Sequence, residues 1–366
     1  MNIAFFCIPA HGHTNPTLAV VRELTARGHT VRYYTTEAFR AKVEAAGAVF
    51  VPFDTEAARP GMTAADGARL GSDLAFSTKL IVDLTLAADD WLSRELTAHR
   101  PDVIAGDSMA FWAKLAAKKH GIPFVSSTTT FAFNRFRAKV IEQNGAGFLQ
   151  FLLAQPRINR QLKRLRAAGY AVKSVFDIIA NDNETETVVY TSPDFQPCAD
   201  TFSEKYHFVG PLLRPAQSSF EKLPGRSLIY ISLGTVNNDA LPFYRACLAA
   251  FGGDPRFQLV LSAGTQTDLA ALGPIPENCT VRASVDQMAV LDCADVFLTH
   301  CGMNSASEGL WHGLPLVLYP QTPEQHGVAN RVAALGAGVP LTDPSADGIR
   351  RAVEAALTDP AYRENA

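Results

Sequence analysis

Short apolar runs alternate with amphipathic stretches along the whole chain. Asn2–Ile8 (NIAFFCI) is apolar at nearly every position, as a strand buried on both faces requires. The next segment, Pro16–Arg27, places Leu18, Val21 and Leu24 on one helical stripe. Asn15 suits its N-cap, Pro16 its first turn and Gly28 its stop. Strands then follow at Thr30–Thr35, Ala48–Pro52, Val103–Gly106 and Phe124–Ser127, with a helix at Phe111–Lys119. This β-α-β grammar predicts a parallel sheet covered by helices on both faces. It breaks at Val209–Arg226, a stretch of prolines, glycines and polar residues, and restarts with strands at Ser227–Leu233, Phe257–Ser262, Val296–Thr299 and Leu316–Tyr319. The expected fold class is α/β, with two doubly wound domains in series: residues 1–210, a connecting segment 211–226, and residues 227–366.

Two long stretches of the first half, Thr55–Asp73 and the region Thr128–Gly147, fit neither pattern. Long irregular insertions in compact domains commonly serve a site. The second carries Phe131, Phe133 and Phe136, followed by Phe148, which together suit an apolar pocket, although each alone reads equally well as core.

Composition narrows the classes of function. A length of 366 residues accommodates two domains with separate cores. A formal charge of -3, with no basic run interleaved with aromatics, gives no electrostatic reason to expect nucleic acid or an anionic membrane as partner. The six cysteines are scattered, without zinc-like or CxxC spacing, as in a cytoplasmic protein with reduced thiols. No run approaches the ~20 apolar residues of a membrane span, and Met1–Ala10 is short and lacks the basic lead of a secretory leader. A soluble intracellular protein is expected.

Four groups of residues can carry chemistry. Pro9-Ala10-His11-Gly12-His13-Thr14-Asn15-Pro16 lies between the first strand and first helix, at the carboxyl edge where open α/β sheets bind ligands. A histidine there can take a proton from an alcohol. His11 and His13 read less well as a metal pair, since two ligands on one loop fall short of a site. Asp107 leaves another strand at the same edge, placed either to orient an imidazole or to cap the next helix. Ser232-Leu233-Gly234-Thr235 is a small strand-to-helix turn that lets backbone N–H groups approach a phosphate. Finally, His300-Cys301-Gly302-Met303-Asn304-Ser305-Ala306-Ser307-Glu308 follows a strand and opens a helix, aiming a helix dipole and several donors at one spot. Its Ser305-x-x-Glu308 also reads as a capping box. The stretch Ser284-Val285-Asp286-Gln287 precedes it, and Glu324-Gln325 follow the next strand with acceptors and donors suited to a hexose.

Together these motifs resemble the nucleotide-sugar-dependent glycosyltransferases of the GT-B fold. The likeness is greatest to the bacterial macrolide and flavonoid branch, related to the UDP-glycosyltransferases of plants and animals. It runs from Ile8–Pro16 to Glu324–Gln325 and is carried most specifically by His300–Glu308. The resemblance implies two Rossmann-like domains facing across a cleft. It implies inverting transfer of a hexose from a UDP- or dTDP-sugar to a hydroxyl of a macrolide, flavonoid or other small natural product, with no metal and no cofactor beyond the donor itself. It assigns the general base to His13 rather than His11, with Asp107 as acidic partner. It places Ser232, Gly234, Thr235, His300, Gly302, Met303, Asn304 and Ser305 around the diphosphate and Glu308 on the ribose. Ser284, Val285 and Gln287 fall beside the base, Glu324 and Gln325 on the sugar, and Phe131, Phe133 and Phe148 in an acceptor pocket.

The sequence departs from that pattern in places. Ser284 stands where plant members stack a tryptophan on uracil, Asp286 replaces a usual proline, and Glu324 replaces a frequent Asp. The helical pattern at the end stops at Ala366, where the resemblance implies a further helix crossing back onto the first domain. Two other functions share this scaffold: sugar-nucleotide epimerisation, and a non-catalytic helper of another transferase. The first has no need of an apolar acceptor pocket, and the second has no need of a complete His13, Asp107 and His300–Glu308 set.

Overall fold

The computed structural model describes residues 1–53, 73–134 and 145–366, with residues 145–152 described by their backbone. The chain forms two compact units, Met1–Leu212 and Leu213–Ala366.

The first unit holds seven strands: β1 (Asn2–Phe6), β2 (Thr30–Thr35), β3 (Val49–Pro52), β4 (Val103–Asp107), β5 (Phe124–Thr128), β6 (Thr187–Val189) and β7 (Tyr206–Phe208). They run parallel in the order β3-β2-β1-β4-β5-β6-β7. The apolar run that predicted β1 serves both faces of this sheet. Ile3, Phe5 and Cys7 pack with Leu18, Val21 and Val43 on one side. Ala4 and Phe6 pack with Leu92, Leu96 and Trp112 on the other. Neighbouring strands add aromatic stacks, Phe5 on Tyr33 at 5.0 Å and Phe6 on Tyr34 at 4.2 Å between ring centroids.

The first helix spans His11–Ala26 and so begins before the expected Asn15 cap. Extended Ala10 is its N-cap, and the Ala10 carbonyl accepts from the N–H groups of His13 (3.0 Å) and Thr14 (2.8 Å). The Asn15 side chain instead accepts from Lys42 Nζ at 3.2 Å. Pro16, in the second turn, removes one helical N–H but has the φ a helix needs. Gly28, in the left-handed region at φ 80°, turns the chain into β2.

The second unit repeats the design with β8 (Ser227–Ser232), β9 (Phe257–Ser262), β10 (Cys279–Arg282), β11 (Val296–Thr299), β12 (Leu316–Leu318) and β13 (Gly338–Pro340). All pairs are parallel, in the order β10-β9-β8-β11-β12-β13. Residues 213–226 contain no helix or strand and are tied to this unit. Lys222 Nζ donates to Asp295 at 2.7 Å, and Leu223 N–H donates to Gln258 Oε1 at 2.8 Å. Sequence periodicity did not reveal β6, β7, β10 or β13. These strands have only three or four residues, and β13 contains both Gly338 and Pro340.

Strand order reverses direction at β1/β4 in the first unit and at β8/β11 in the second. At such a point the connections leave toward opposite faces, opening a crevice beyond the carboxyl ends of the two strands. The pairs Phe6–Gly106 and Ser232–Thr299 mark the ends of the two ladders. Every motif singled out at those carboxyl ends therefore lies at one of two switch points.

Candidate functional site

At the first switch point, His13 sits in the opening turn of the His11–Ala26 helix, and Asp107 ends β4. His13 Nδ1 is 2.8 Å from Asp107 Oδ2, and Asp107 is almost fully buried. Asp107 does not cap the Phe111–His120 helix, whose N-cap is Ala110. Its second oxygen accepts from Met109 N–H at 2.9 Å. An ionised carboxylate only accepts, so Nδ1 carries the imidazole proton and the lone pair belongs to Nε2. Thr129, just past β5, lies 2.9 Å from the same Nδ1 through its hydroxyl. This third partner had no signal in the sequence, because only the β4–β5 pairing brings it alongside.

His11 points elsewhere. Its ring packs edge-on against Phe39, at 5.0 Å between centroids, and Lys42 Nζ donates to its Nδ1 at 3.4 Å. Burial and the Lys42 charge both lower its pKa. The two histidines of the loop thus serve different neighbours.

At the second switch point the Ser232–Thr235 turn meets His300. Gly234, at φ 79°, approaches so closely that a Cβ there would come within 2.6 Å of the His300 ring. A Cβ on Gly302 would also meet His300 Nε2 at 2.6 Å. Close packing therefore requires both glycines, and at Gly234 the left-handed turn requires one as well. Asn238, buried and missed by sequence reasoning, holds the Gly234 turn: its Nδ2 donates to the Gly234 carbonyl at 3.0 Å, and its Oδ1 accepts from Gln266 N–H at 3.0 Å. Burial pushes the His300 pKa down to about 4, so the ring is neutral at physiological pH. Its Nδ1 is buried without a hydrogen-bond partner among the described residues.

The helix after His300 spans Met303–Trp311, with Gly302 at its N-cap and no side-chain cap. Ser305 and Glu308 lie inside it, which overturns the capping-box reading of that pair. Cys301 takes a left-handed conformation, φ 63°, between β11 and this helix. A non-glycine residue in that region stores strain, a feature concentrated at ligand sites. Glu308 is oriented by a relay: Tyr230 Oη donates to Gln287 Oε1 at 3.0 Å, and Gln287 Nε2 donates to the Glu308 carboxylate. Burial raises the Glu308 pKa, while Gln287 and the Arg214 charge oppose that rise.

Asp286 is the N-cap of the Gln287–Leu291 helix, but its side chain does not cap it. Its Oδ2 accepts from the N–H groups of Gln217 (2.5 Å) and Ser218 (2.9 Å) and from Ser218 Oγ (3.2 Å). Where the family resemblance expects proline, this chain therefore uses a carboxylate to fasten residues 217–218. Ser284 is exposed and Val285 half-buried beside it. On the Pro323–Ala334 helix, Gln325 closes a capping box with Thr322, its Oε1 accepting from Gln321 N–H at 2.8 Å and Thr322 N–H at 3.2 Å. Glu324 in the same turn is exposed, as is Thr235.

In the first unit, Phe131 and Phe133 line a cavity of about 100 Å³ that also touches Asp107. Phe131 packs against Phe195 at 5.5 Å between centroids. Phe136 and the side chain of Phe148 lie outside the described residues. No helix among the described residues is long and apolar enough to cross a membrane.

Comparison with known proteins places the chain among its relatives. Residues 257–366 match the model of the erythromycin biosynthesis protein CIII-like C-terminal domain. The chain is 33% identical over 368 residues to the NDP-glycosyltransferase YjiC of Bacillus licheniformis, covering 98% of this chain and 90% of that protein. It is also 33% identical to the demethyllactenocin mycarosyltransferase of Streptomyces fradiae, over 99% of this chain and 81% of the relative. In three dimensions it superposes on the glycotransferase of kitacinnamycin with a TM-score of 0.85 and 31% identity, covering 100% of this chain and 92% of that one. Two doubly wound units, motifs gathered at both switch points and identity spread over nearly the whole length make this chain a GT-B glycosyltransferase, a member of the family that includes the NDP-glycosyltransferases and the macrolide glycosyltransferases.

Proposed function

We propose that the chain is an inverting, metal-independent transferase that moves a hexose from a UDP- or dTDP-sugar to a hydroxyl of a small apolar acceptor. Macrolides, flavonoids and other natural products form the acceptor class. The observation that carries this reading is the His13–Asp107 pair: an imidazole whose Nδ1 proton is held by a buried carboxylate, leaving Nε2 as the base. In the reaction, Nε2 takes the acceptor's hydroxyl proton while that oxygen forms a bond to the anomeric carbon. The bond from that carbon to the diphosphate oxygen breaks, the diphosphate leaves with the electron pair, and configuration inverts. Asp107 stabilises the imidazolium that results.

The second unit supplies the donor's half of the chemistry. Backbone N–H groups at the start of the Met303–Trp311 helix and in the Ser232–Thr235 turn suit an anion that gains charge as it leaves. His300 assists as a neutral hydrogen-bond donor, and Glu308, fixed by Gln287, suits ribose hydroxyls. Ser305 and Asn304 add polar groups on the first turn of that helix, and Glu324 and Gln325 face the sugar in this reading.

The test is mass spectrometry of acceptor panels incubated with UDP-glucose or dTDP-glucose in the presence of EDTA. A hexose mass gain on an acceptor alcohol is expected. Epimerised donor formed without any acceptor, or no turnover with either donor, would overturn the reading.

A further inference from the structure

Lys114 is an unusual occupant of its place. It lies on the Phe111–His120 helix, whose neighbours Trp112, Ala113, Leu115, Ala116 and Ala117 are buried. Its ammonium donates to the Ala180 carbonyl at 2.7 Å, and no carboxylate among the described residues lies within ion-pair distance. Lys114 itself is half-buried, and an ammonium, with three donors, is costly to withdraw from water without an ionic partner. Burial pushes its pKa down to about 8, while Asp182 and Asp177 act from farther away to raise it and Lys118 opposes them.

Lys114 lines the same cavity as Asp107, Met109, Phe111, Phe124 and Phe131. Tyr206, also on the wall, is held neutral by burial, its pKa raised to about 12. The charge of Asp107 is already met by His13 and the Met109 N–H. The cavity therefore combines aromatic and aliphatic walls and the polar residues Ser126, Thr128, Thr130 and Asn181 with a cation that has no acidic partner at ion-pair distance among the described residues.

We infer that this cavity is a subsite for a carboxylate borne on an apolar arm of the acceptor, with Lys114 as its ligand. The inference deepens the proposed function by naming an acceptor class: hydroxylated molecules that also carry an acid. A cavity of about 100 Å³ takes such an arm rather than a whole macrolide. Specificity here comes from leaving the ammonium unpaired when a neutral group enters.

The direct test measures binding of benzoate and benzamide to the full chain, without donor, by calorimetry or ligand-observed NMR. The wild type should bind benzoate about tenfold or more tightly than benzamide at neutral pH. The preference should fall as pH rises through about 8, because the cation is lost. Both Lys114→Met and Lys114→Gln should abolish it; the glutamine variant retains an N–H for the Ala180 carbonyl and so guards against a packing artefact. Equal binding of the two probes, no binding of benzoate, or a preference that survives in both variants would overturn the subsite. Transfer to hydroxy acids and their methyl esters separates the two ideas. Glucosylation of both with a ratio unchanged in Lys114→Met sinks the subsite and leaves the transferase reading intact. Absence of any transfer sinks that reading, while the binding comparison still decides the subsite.

Discussion

The two switch points share a geometry and carry opposite chemistry. In the first unit, the crevice beyond β1 and β4 holds a histidine tied to a buried carboxylate and a threonine hydroxyl. In the second, the crevice beyond β8 and β11 holds a histidine pressed between Gly234 and Gly302, with no charged partner among the described residues and a pKa lowered by burial to about 4. A base must gain a proton during the reaction, so its positive form needs a counter-charge nearby. A site for a departing diphosphate needs bare backbone N–H groups and gains from close approach, so glycine replaces side chains there. In the proposed reading, one α/β plan serves as a proton acceptor or an anion cradle according to the residues that follow the two central strands.

The most severe break in this contrast is His13→Ala. It should lower kcat by about 10³-fold or more while leaving the Kd for the nucleoside diphosphate unchanged; calorimetry and steady-state kinetics on one preparation check both. Asp107→Asn keeps the shape but removes the charge that holds the Nδ1 proton. A loss of about 10²- to 10³-fold in kcat is expected, again without change in donor affinity. Gly302→Ala tests the other unit: a Cβ at 2.6 Å from His300 must displace the ring. Donor affinity should fall about tenfold or more, with the His13 half untouched.

A pH experiment sharpens the contrast between the two histidines. His300 has its folded-state pKa lowered by burial to about 4, against an ordinary value of 6.5. Below pH 6.5 the unfolded chain takes up a proton that the folded chain refuses. The stability associated with a neutral His300 is complete above that pH and is lost as pH falls toward 4. The decline in thermal midpoint from pH 6.5 to 4 should be shallower in His300→Gln than in the wild type. The mildest change is Thr129→Ala, which removes one partner of the His13 ring; a several-fold drop in kcat is expected, in line with about 1 kcal/mol for a hydrogen bond.

The hydrophobic pattern located the longer strands to within a residue or two, because strands buried on both faces leave continuous apolar runs such as Asn2–Ile8. It was silent on β6, β7, β10 and β13, short strands whose apolar runs are broken by Thr187, His207, Thr280 or Gly338, whereas the equally short β11 and β12 are built on continuous apolar runs. The His300–Glu308 motif was legible because strand, glycine and helix follow one another directly in sequence. Its interpretation changed in space: the helix starts at Met303, so Glu308 is free of capping and is held instead by Gln287 and, through it, Tyr230. Of the two irregular stretches, Thr55–Asp73 and Thr128–Gly147, residues 55–72 and 135–144 lie outside the described residues, as do Phe136 and the side chain of Phe148, while residues 145–147 open a helix that runs to Ala167.

What the sequence determined by itself was the alternation of elements, and with it the carboxyl-edge loops that carry His13, Asp107, Gly234 and His300. These follow from local periodicity and turn chemistry, which act over a few residues. Tertiary structure alone decided which of two loop histidines meets Asp107, that Thr129 joins them, that Asn238 braces Gly234, and that Asp286 holds Gln217 and Ser218. Most of these contacts join residues well separated along the chain, from 68 positions for Ser218 and Asp286 to 116 for His13 and Thr129; Asn238 is only four from Gly234, but its other partner, Gln266, is 28 away. Such partners are chosen by strand order and side-chain packing, and no short-range pattern encodes them.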